Sequence, residues 1–183
     1  MNRYRQNILV KLTWAIISAV VICGYAEASE SGDVQLDLNQ QVIYCAVEWQ
    51  GDEESLSQAL QAGIAVTFIW QVQVKEVQDY WLNESIADIQ VLRRVLPDLL
   101  SRNWVLEDEA SGISRRVSSL SEAIRFLTRL ENFPVLDRSL LNAAAPYKIS
   151  IRVAEQEGEM NEAWWATLWN SVQFSTEKDF SLP

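Results

Sequence analysis

Histidine is absent from the 183 residues of this sequence. Its absence excludes the Ser-His-Asp triad, the Cys-His dyad, metal or haem binding through imidazole, and a histidine general base. Basic residues are also scarce, since 15 lysines and arginines stand against 25 aspartates and glutamates, and the net charge is −10. An acidic chain repels the phosphate backbone, so we expect no nucleic-acid partner.

Only two cysteines are present. Cys23 lies in an apolar run and follows Ile22, whereas a lipid-modification site needs a small residue at that point. Cys45 lies among apolar neighbours at 43–47. A lone cysteine in an oxidising compartment is either buried or paired between chains, and the apolar neighbours favour a buried thiol.

The first 28 residues have the layout of a secretory signal peptide. A basic start of Arg3, Arg5 and Lys11 leads into the apolar run. That run, Leu12 to Ala26, is shorter than the roughly 20 residues that span a bilayer. Ala26 and Ala28 supply the small residues that a signal peptidase reads, so we expect cleavage after Ala28 and a periplasmic protein. The alternative is an uncleaved segment, extended by Ile8 to Val10, that anchors the chain in the inner membrane.

The rest of the chain, 29–183, is predicted to form one β-rich globular domain. Apolar residues alternate with polar ones over Ile64 to Val77 and again over Tyr147 to Val153, which is typical of half-buried strands. Further strands are predicted at Val34 to Trp49 (one long or two short), Ile86 to Val95, Asn103 to Glu107, Ile113 to Val117 and Val172 to Phe174.

Two helices interrupt these strands. One begins at Glu53 and stops at Gly63. The other is predicted to be capped by Ser119 or Ser121, and Ser119 has the capping-box spacing to Glu122. Its apolar stripe is predicted to include Leu120, Ile124, Leu127 and Leu130, with Arg125, Arg129 and Glu131 on the solvent side. Connections this short favour antiparallel pairing, so we expect an α+β fold: a mostly antiparallel sandwich or curled sheet with two packed helices.

The breaks between these strands carry further expectations. Pro97 should disrupt its strand or mark a bend, and Phe133 to Leu136 should lead into a loop. Glu155 to Glu159 is predicted to form an acidic turn.

The order of these segments resembles the exported bacterial family catalogued as domain of unknown function 4390. The resemblance rests on Ala59 to Ile64, Tyr80-Trp81, Ser119 to Ala123 and Tyr147 to Ile149, and covers about Val34 to Pro183. The aromatic stretch 162–169 departs from the family pattern. The resemblance implies a small exported protein without an assigned activity, often encoded beside a membrane sensor kinase.

No catalytic, cofactor-binding or metal-binding residue is predicted. Paired carboxylates are the acid–base groups that remain, in three clusters: Glu53/Glu54, Glu107/Asp108/Glu109 and Glu155/Glu157/Glu159. The spacing in the second cluster is not that of a calcium loop, and solvated acidic surface is the interpretation we prefer for all three. Ser175 and Lys178 have the Ser-x-x-Lys spacing by which a lysine can activate a serine, but they lie in a segment predicted to be a polar tail.

Two arginine pairs, Arg93/Arg94 and Arg115/Arg116, lie at predicted strand positions. Guanidinium groups bind carboxylates in a planar fork, so these pairs could hold an acidic partner. They could equally form internal ion pairs with the excess acidic residues.

Tryptophan is unusually frequent, with eight residues. Trp49, Trp70 and Trp104 fit strand positions in the core. Tyr80 and Trp81 could plug a sheet edge or contact a partner, and Trp164, Trp165 and Trp169 could cover the end of the sandwich or form an exposed anchor. Tryptophan is enriched in interface hot spots, so these five aromatic residues are the candidate partner contacts.

The function we predict from the sequence is a non-catalytic interaction module of the bacterial cell envelope. Its partner would be an envelope protein, with a membrane sensor kinase as a candidate by family association only. The alternatives are a small-ligand sensor that serves such a kinase, and a glycan hydrolase that works with two carboxylates and no histidine.

Overall fold

A computed structural model describes residues 33–78, 83–158 and 172–183. These residues form nine strands, two α-helices and a short 3-10 helix at Arg138–Leu140. The helices are α1, Glu53–Gln61, and α2, Leu120–Thr128. The strands are β1 (Gln35–Asp37), β2 (Val42–Glu48), β3 (Val66–Glu76), β4 (Glu84–Asp98), β5 (Asn103–Asp108), β6 (Ile113–Val117), β7 (Arg129–Asp137), β8 (Tyr147–Glu157) and β9 (Val172–Phe180).

The strands form two antiparallel sheets. The larger has the order β6-β5-β4-β3-β8-β9, and the smaller has the order β1-β2-β7. The predicted β-rich α+β class, with antiparallel sheets and two packed helices, is confirmed.

The centre of the large sheet is β3, whose alternation was the clearest strand signal in the sequence. Val66, Phe68, Trp70, Val72 and Val74 are each at most 1% exposed, as their shared face predicts. The matching residues of β8, from Tyr147 to Val153, are equally buried. This face of the sheet packs against Ile43, Cys45 and Val47 of the small sheet in one hydrophobic cluster.

Both helices begin where the sequence predicts. Asp52 caps α1 by accepting hydrogen bonds from the N–H groups of Glu54 and Ser55, and Gly63 follows the helix with φ +85°. Ser119 caps α2 by accepting from the N–H of Glu122.

The end of α2 differs from the prediction. The helix stops at Thr128 and the chain continues directly into β7, so Leu130 is buried in a strand rather than in the helical stripe. The indole of Trp70 donates to the carbonyl of Leu127 at 3.1 Å and ties the last turn of α2 to the centre of the large sheet.

Pro97, which was expected to disrupt its strand or mark a bend, and Pro134 both lie inside strands. Pro97 pairs with Trp104 of β5, but β3 begins to pair with β4 only at Val95. The missing N–H of Pro97 therefore faces no third strand. Pro134 lies in β7, which forms an edge of the small sheet. The expectation that 133–136 leads into a loop is confirmed, because β7 ends at Asp137 and is followed by the 3-10 helix at Arg138–Leu140 and a turn before β8.

The C-terminal strands are longer than predicted. Glu155 and Glu157 belong to β8 instead of an acidic turn, because their backbone continues the pairing with β3. Ser175 and Lys178 belong to β9, which pairs with β8, and so they are not part of a polar tail.

Candidate functional site

Four arginines surround a cleft of about 510 Å³ beside α2. Arg93 comes from β4, Arg115 from β6, Arg125 from α2 and Arg129 from the start of β7. Its other lining residues are Ser119, Ser121, Glu122, Phe126 and Glu131. Four positive and two negative side chains make the cleft cationic in a chain whose net charge is −10.

Arg93 forms the floor of the cleft, and its side chain is 15% exposed. It lies on the inner face of the sheet because it pairs with Phe68 on one side and Asp108 on the other. Its Nη1 donates to the carbonyl oxygens of Phe126 at 3.0 Å and Arg129 at 2.5 Å, and its Nε lies 3.3 Å from an oxygen of Asp108. These bonds satisfy carbonyls at the C-terminal end of α2, where a cation is favourable.

Burial lowers the pKa of the Arg93 guanidinium, and the charge of Asp108 opposes that shift. An arginine remains protonated at physiological pH even so. The guanidinium also lies 5.0 Å from the ring centroid of Phe126, within the range of a cation–π contact. Arg93 is therefore a fixed positive charge whose hydrogen-bonding groups are mostly used inside the fold.

The other three arginines lie at the rim. Arg115 pairs with Glu122 at 2.7 Å, and Arg129 donates to Glu48 at 2.8 Å. Arg125 is exposed, and its side chain forms no hydrogen bond or salt bridge with the described residues. Ion pairs this exposed contribute little to stability, so an incoming carboxylate or phosphate could exchange with the glutamates.

A second cavity, of about 280 Å³, is acidic. It is lined by Trp49, Gly51, Asp52, Ser55, Glu155, Glu157 and Gln173. Burial raises the pKa of Glu155, and the negative charges of Glu157 and Asp52 raise it further, while a hydrogen bond from Gln173 lowers it. Acid–base catalysis without histidine needs two neighbouring carboxyl groups, and this cavity places Glu155 beside Glu157 and Asp52.

Comparison with known proteins identifies the family. A family model described as a domain of unknown function, DUF4390, matches residues 26–160, which is well over half of the chain. The chain belongs to the DUF4390 family. No curated protein and no solved structure matches it.

Several predicted site residues of this DUF4390 chain lie outside the described residues. They are Ala26, Ala28, Tyr80, Trp81, Trp164, Trp165 and Trp169, together with Cys23 and Glu159. The signal-peptide cleavage site and the aromatic partner contacts therefore remain predictions.

The core residues predicted for the DUF4390 chain are buried. Trp70 is fully buried and Trp49 is 4% exposed, while Trp104 is half-buried against the core. Cys45 is 1% exposed, and burial raises the pKa of its thiol to about 12.

The three carboxylate clusters of the DUF4390 chain have different surroundings. Glu53 and Glu54 are exposed in the first turn of α1. Asp108 is held by Arg93, whereas Glu155 and Glu157 are brought to Asp52 across the acidic cavity. In the part of the chain that the structure describes, no three acidic or cysteine side chains are placed to hold a metal ion.

The arginine pairs are separated by the fold. Arg93 and Arg115 face the cleft, while Arg94 and Arg116 belong to the opposite face of the large sheet. Sequence reasoning missed Arg125 and Arg129 as cleft residues, because it placed them only on the solvent side of a helix. No local pattern signals their position, because α2 ends at Thr128 and Arg129 belongs to β7, so helical spacing does not relate the two side chains.

The described helices of the DUF4390 chain give no candidate for a membrane crossing, since none is both long and apolar enough.

Proposed function

We propose that this chain is a non-catalytic interaction module of the bacterial cell envelope, and that its cationic cleft binds an acidic segment of a partner protein. The N-terminal pattern of Arg3 to Ala28 supports export to the periplasm. The aromatic contacts proposed from the sequence would add to the cleft rather than replace it. A membrane sensor kinase is a candidate partner on family association alone.

The observation that carries this proposal is the concentration of positive charge. The chain has only 15 basic residues, and four of them line one cleft. Arg125, which is exposed and has no side-chain partner among the described residues, is positioned beside two arginines in exchangeable ion pairs. Electrostatic complementarity of this kind speeds association with an acidic surface and disfavours basic partners.

The test is crosslinked affinity capture from the envelope of living cells with the full-length protein and an Arg125→Glu variant. We expect the variant to stay folded and to lose the specific partner, because it reverses the exposed charge of the cleft. The matched control is Arg102→Asp, which reverses an exposed charge at the β4–β5 turn. Arg102 has φ 54°, a conformation that aspartate tolerates. Equal capture by both variants and the wild type would refute the cleft as the contact.

A second candidate function is favoured by the acidic cavity. Glu155, with its raised pKa, and Glu157 could serve as acid and base for glycan hydrolysis without histidine. Measured release of reducing ends from envelope glycans, abolished in Glu155→Gln and unaffected in Glu53→Gln, would support the hydrolase over the interaction module. The small-ligand sensor gains no such support, because the cationic cleft and the acidic cavity are both lined largely by charged and polar side chains.

A further inference from the structure

The strand β6 forms one edge of the large sheet. It pairs with β5, and no other described strand pairs with it. Residues Ile113 to Arg116 are exposed, and Ile113 is 57% exposed despite its apolar side chain. An edge of this kind presents backbone N–H and C=O groups to which another extended chain can bind.

The edge and the cationic cleft are continuous. Ile113 is opposite Asp108, and Asp108 is opposite Arg93, so these three residues form one row across the inner face. Arg115 lies on the same face and lines the cleft. Successive side chains of a strand alternate between faces, so every second side chain of a strand added to β6 would point toward the cleft.

The charges of β6 favour an acidic segment over a second copy of β6 as the strand that pairs with this edge. Arg115 and Arg116 lie on opposite faces of the strand, so both faces of the edge are positive. Pairing with the β6 of a second copy would bring arginines into like-charge contact, which is unfavourable. An extended segment with carboxylates would instead place opposite charges across the new strand pair.

The ion pair that an incoming carboxylate would disturb is weak. The side chains of Arg115 and Glu122 are 52% and 44% exposed, so water screens their attraction. Arg125 stands one helical turn from Glu122 with no partner among the described residues. An acidic side chain opposite Arg115 could therefore bind both arginines.

From this geometry we propose that β6 binds an extended acidic segment of the partner as an additional strand, with alternate carboxylates in the arginine cleft. This inference rests on the proposed function and specifies its binding mode. The backbone of the strand provides the hydrogen bonds, and the arginines provide the selectivity for acidic sequences.

The probe is a synthetic peptide that alternates glutamate and valine, with blocked ends and a fluorescent label, bound to the full-length protein. Two further peptides carry N-methyl groups on alternate backbone nitrogens. One is methylated at the odd-numbered residues and the other at the even-numbered residues. Strand addition uses the N–H groups of one parity, so we expect one methylated peptide to bind about tenfold more weakly than the other. Equal binding by both methylated peptides would overturn the strand mode. A peptide of alternating lysine and valine should bind far more weakly, and equal affinity would overturn the acidic preference.

Two protein variants separate this inference from the proposed function. Ile113→Glu places a carboxylate on the inner face of β6, where the added strand would carry its own, whereas Arg125→Glu changes the cleft without touching β6. Strand addition predicts that both variants lose peptide affinity. If only Arg125→Glu weakens binding, or if no peptide binds while the cellular partner is still captured through Arg125, the strand mode is wrong and the interaction function stands. Circular dichroism of both variants verifies that each is folded.

Discussion

Arg93 differs from the other arginines of the cleft because its contacts are internal. It joins α2, β4 and β5 through the carbonyls of Phe126 and Arg129 and the carboxylate of Asp108. Its charge contributes to the potential of the cleft, while its hydrogen bonds contribute to the fold. A substitution there should affect stability first.

We expect Arg93→Ala to lower the free energy of unfolding by about 2–4 kcal/mol, because it leaves a mostly buried Asp108 and two carbonyls without their partner. Urea denaturation followed by circular dichroism measures the change. The matched control is Arg125→Ala in the same cleft, which should cost less than about 0.5 kcal/mol because Arg125 is exposed and unpaired among the described residues. Equal losses in the two variants would contradict the structural role given to Arg93.

Cys45 is the second residue whose chemistry follows from its position. With its thiol pKa raised to about 12 and its side chain 1% exposed, almost no thiolate forms near pH 8 and no reagent reaches it. In a Cys23→Ser variant, which leaves Cys45 as the only thiol, we expect no labelling of the native protein by a thiol-specific reagent. Complete labelling should follow in guanidinium chloride. Native labelling as fast as that of a small free thiol would show that the site is open.

At the scale of single elements, the connection from β2 to α1 depends on Gly51. A Cβ built on Gly51 would lie 2.0 Å from the ring of Trp49, which is itself 4% exposed and in edge contact with Phe68. The indole therefore packs directly over this backbone, next to the residue that caps α1.

We expect Gly51→Ala to destabilise the protein by about 2–3 kcal/mol, because either the buried indole or the backbone must move. Thermal unfolding monitored by tryptophan fluorescence measures the loss. Gly112→Ala is the matched control, since Gly112 has φ +66° but open space around it, and should cost about 1 kcal/mol from the backbone alone. A smaller loss at Gly51 than at Gly112 would contradict the packing described for Trp49.

The elements that could be predicted from the sequence are those with one consistent local pattern. The inner face of β3 follows from strict alternation, the start of α1 from the acidic first turn at Glu53, and the start of α2 from the capping-box spacing of Ser119 and Glu122. The strand β7 was not predictable in this way. Its apolar Leu130 continues the helical spacing of α2, and Pro134 argues against a strand until the pairing with β2 places it at an edge.

For the molecule as a whole, the cleft was less predictable than the fold. Arg93 and Arg115 were identified as residues that could hold an acidic partner, but no local pattern shows that α2 lies between them. The acidic cavity has the same origin, since Asp52 and Glu155 are far apart in sequence and line one cavity only in the folded chain. Sites built from three or four elements depend on the order of the strands and the placement of the helices. The sequence patterns predict that topology only as far as antiparallel pairing.

The acidic cavity should also influence the pH dependence of global stability. The pKa of Glu155 is raised in the folded state, first by burial and then by Glu157 and Asp52. The folded state therefore binds the Glu155 proton more tightly than the unfolded state does. Its contribution to the free energy of unfolding falls as the pH rises from the unfolded pKa, near 4.3, through the raised folded value, and stays unfavourable above it.

We accordingly expect Glu155→Gln to be more stable than the wild type at pH 7, by at most about 1 kcal/mol because solvent screens a half-buried group. The difference in the free energy of unfolding should disappear near pH 4, where the wild-type carboxyl is protonated and therefore neutral, like the glutamine. Urea titrations across this range measure it, and Glu53→Gln controls for the loss of an exposed charge. Subtracting the two curves removes the contribution of the other carboxylates, since they are common to both proteins. A Glu155→Gln variant that is less stable than the wild type at pH 7, or a difference that does not change with pH, would show that the surroundings of Glu155 do not raise its pKa.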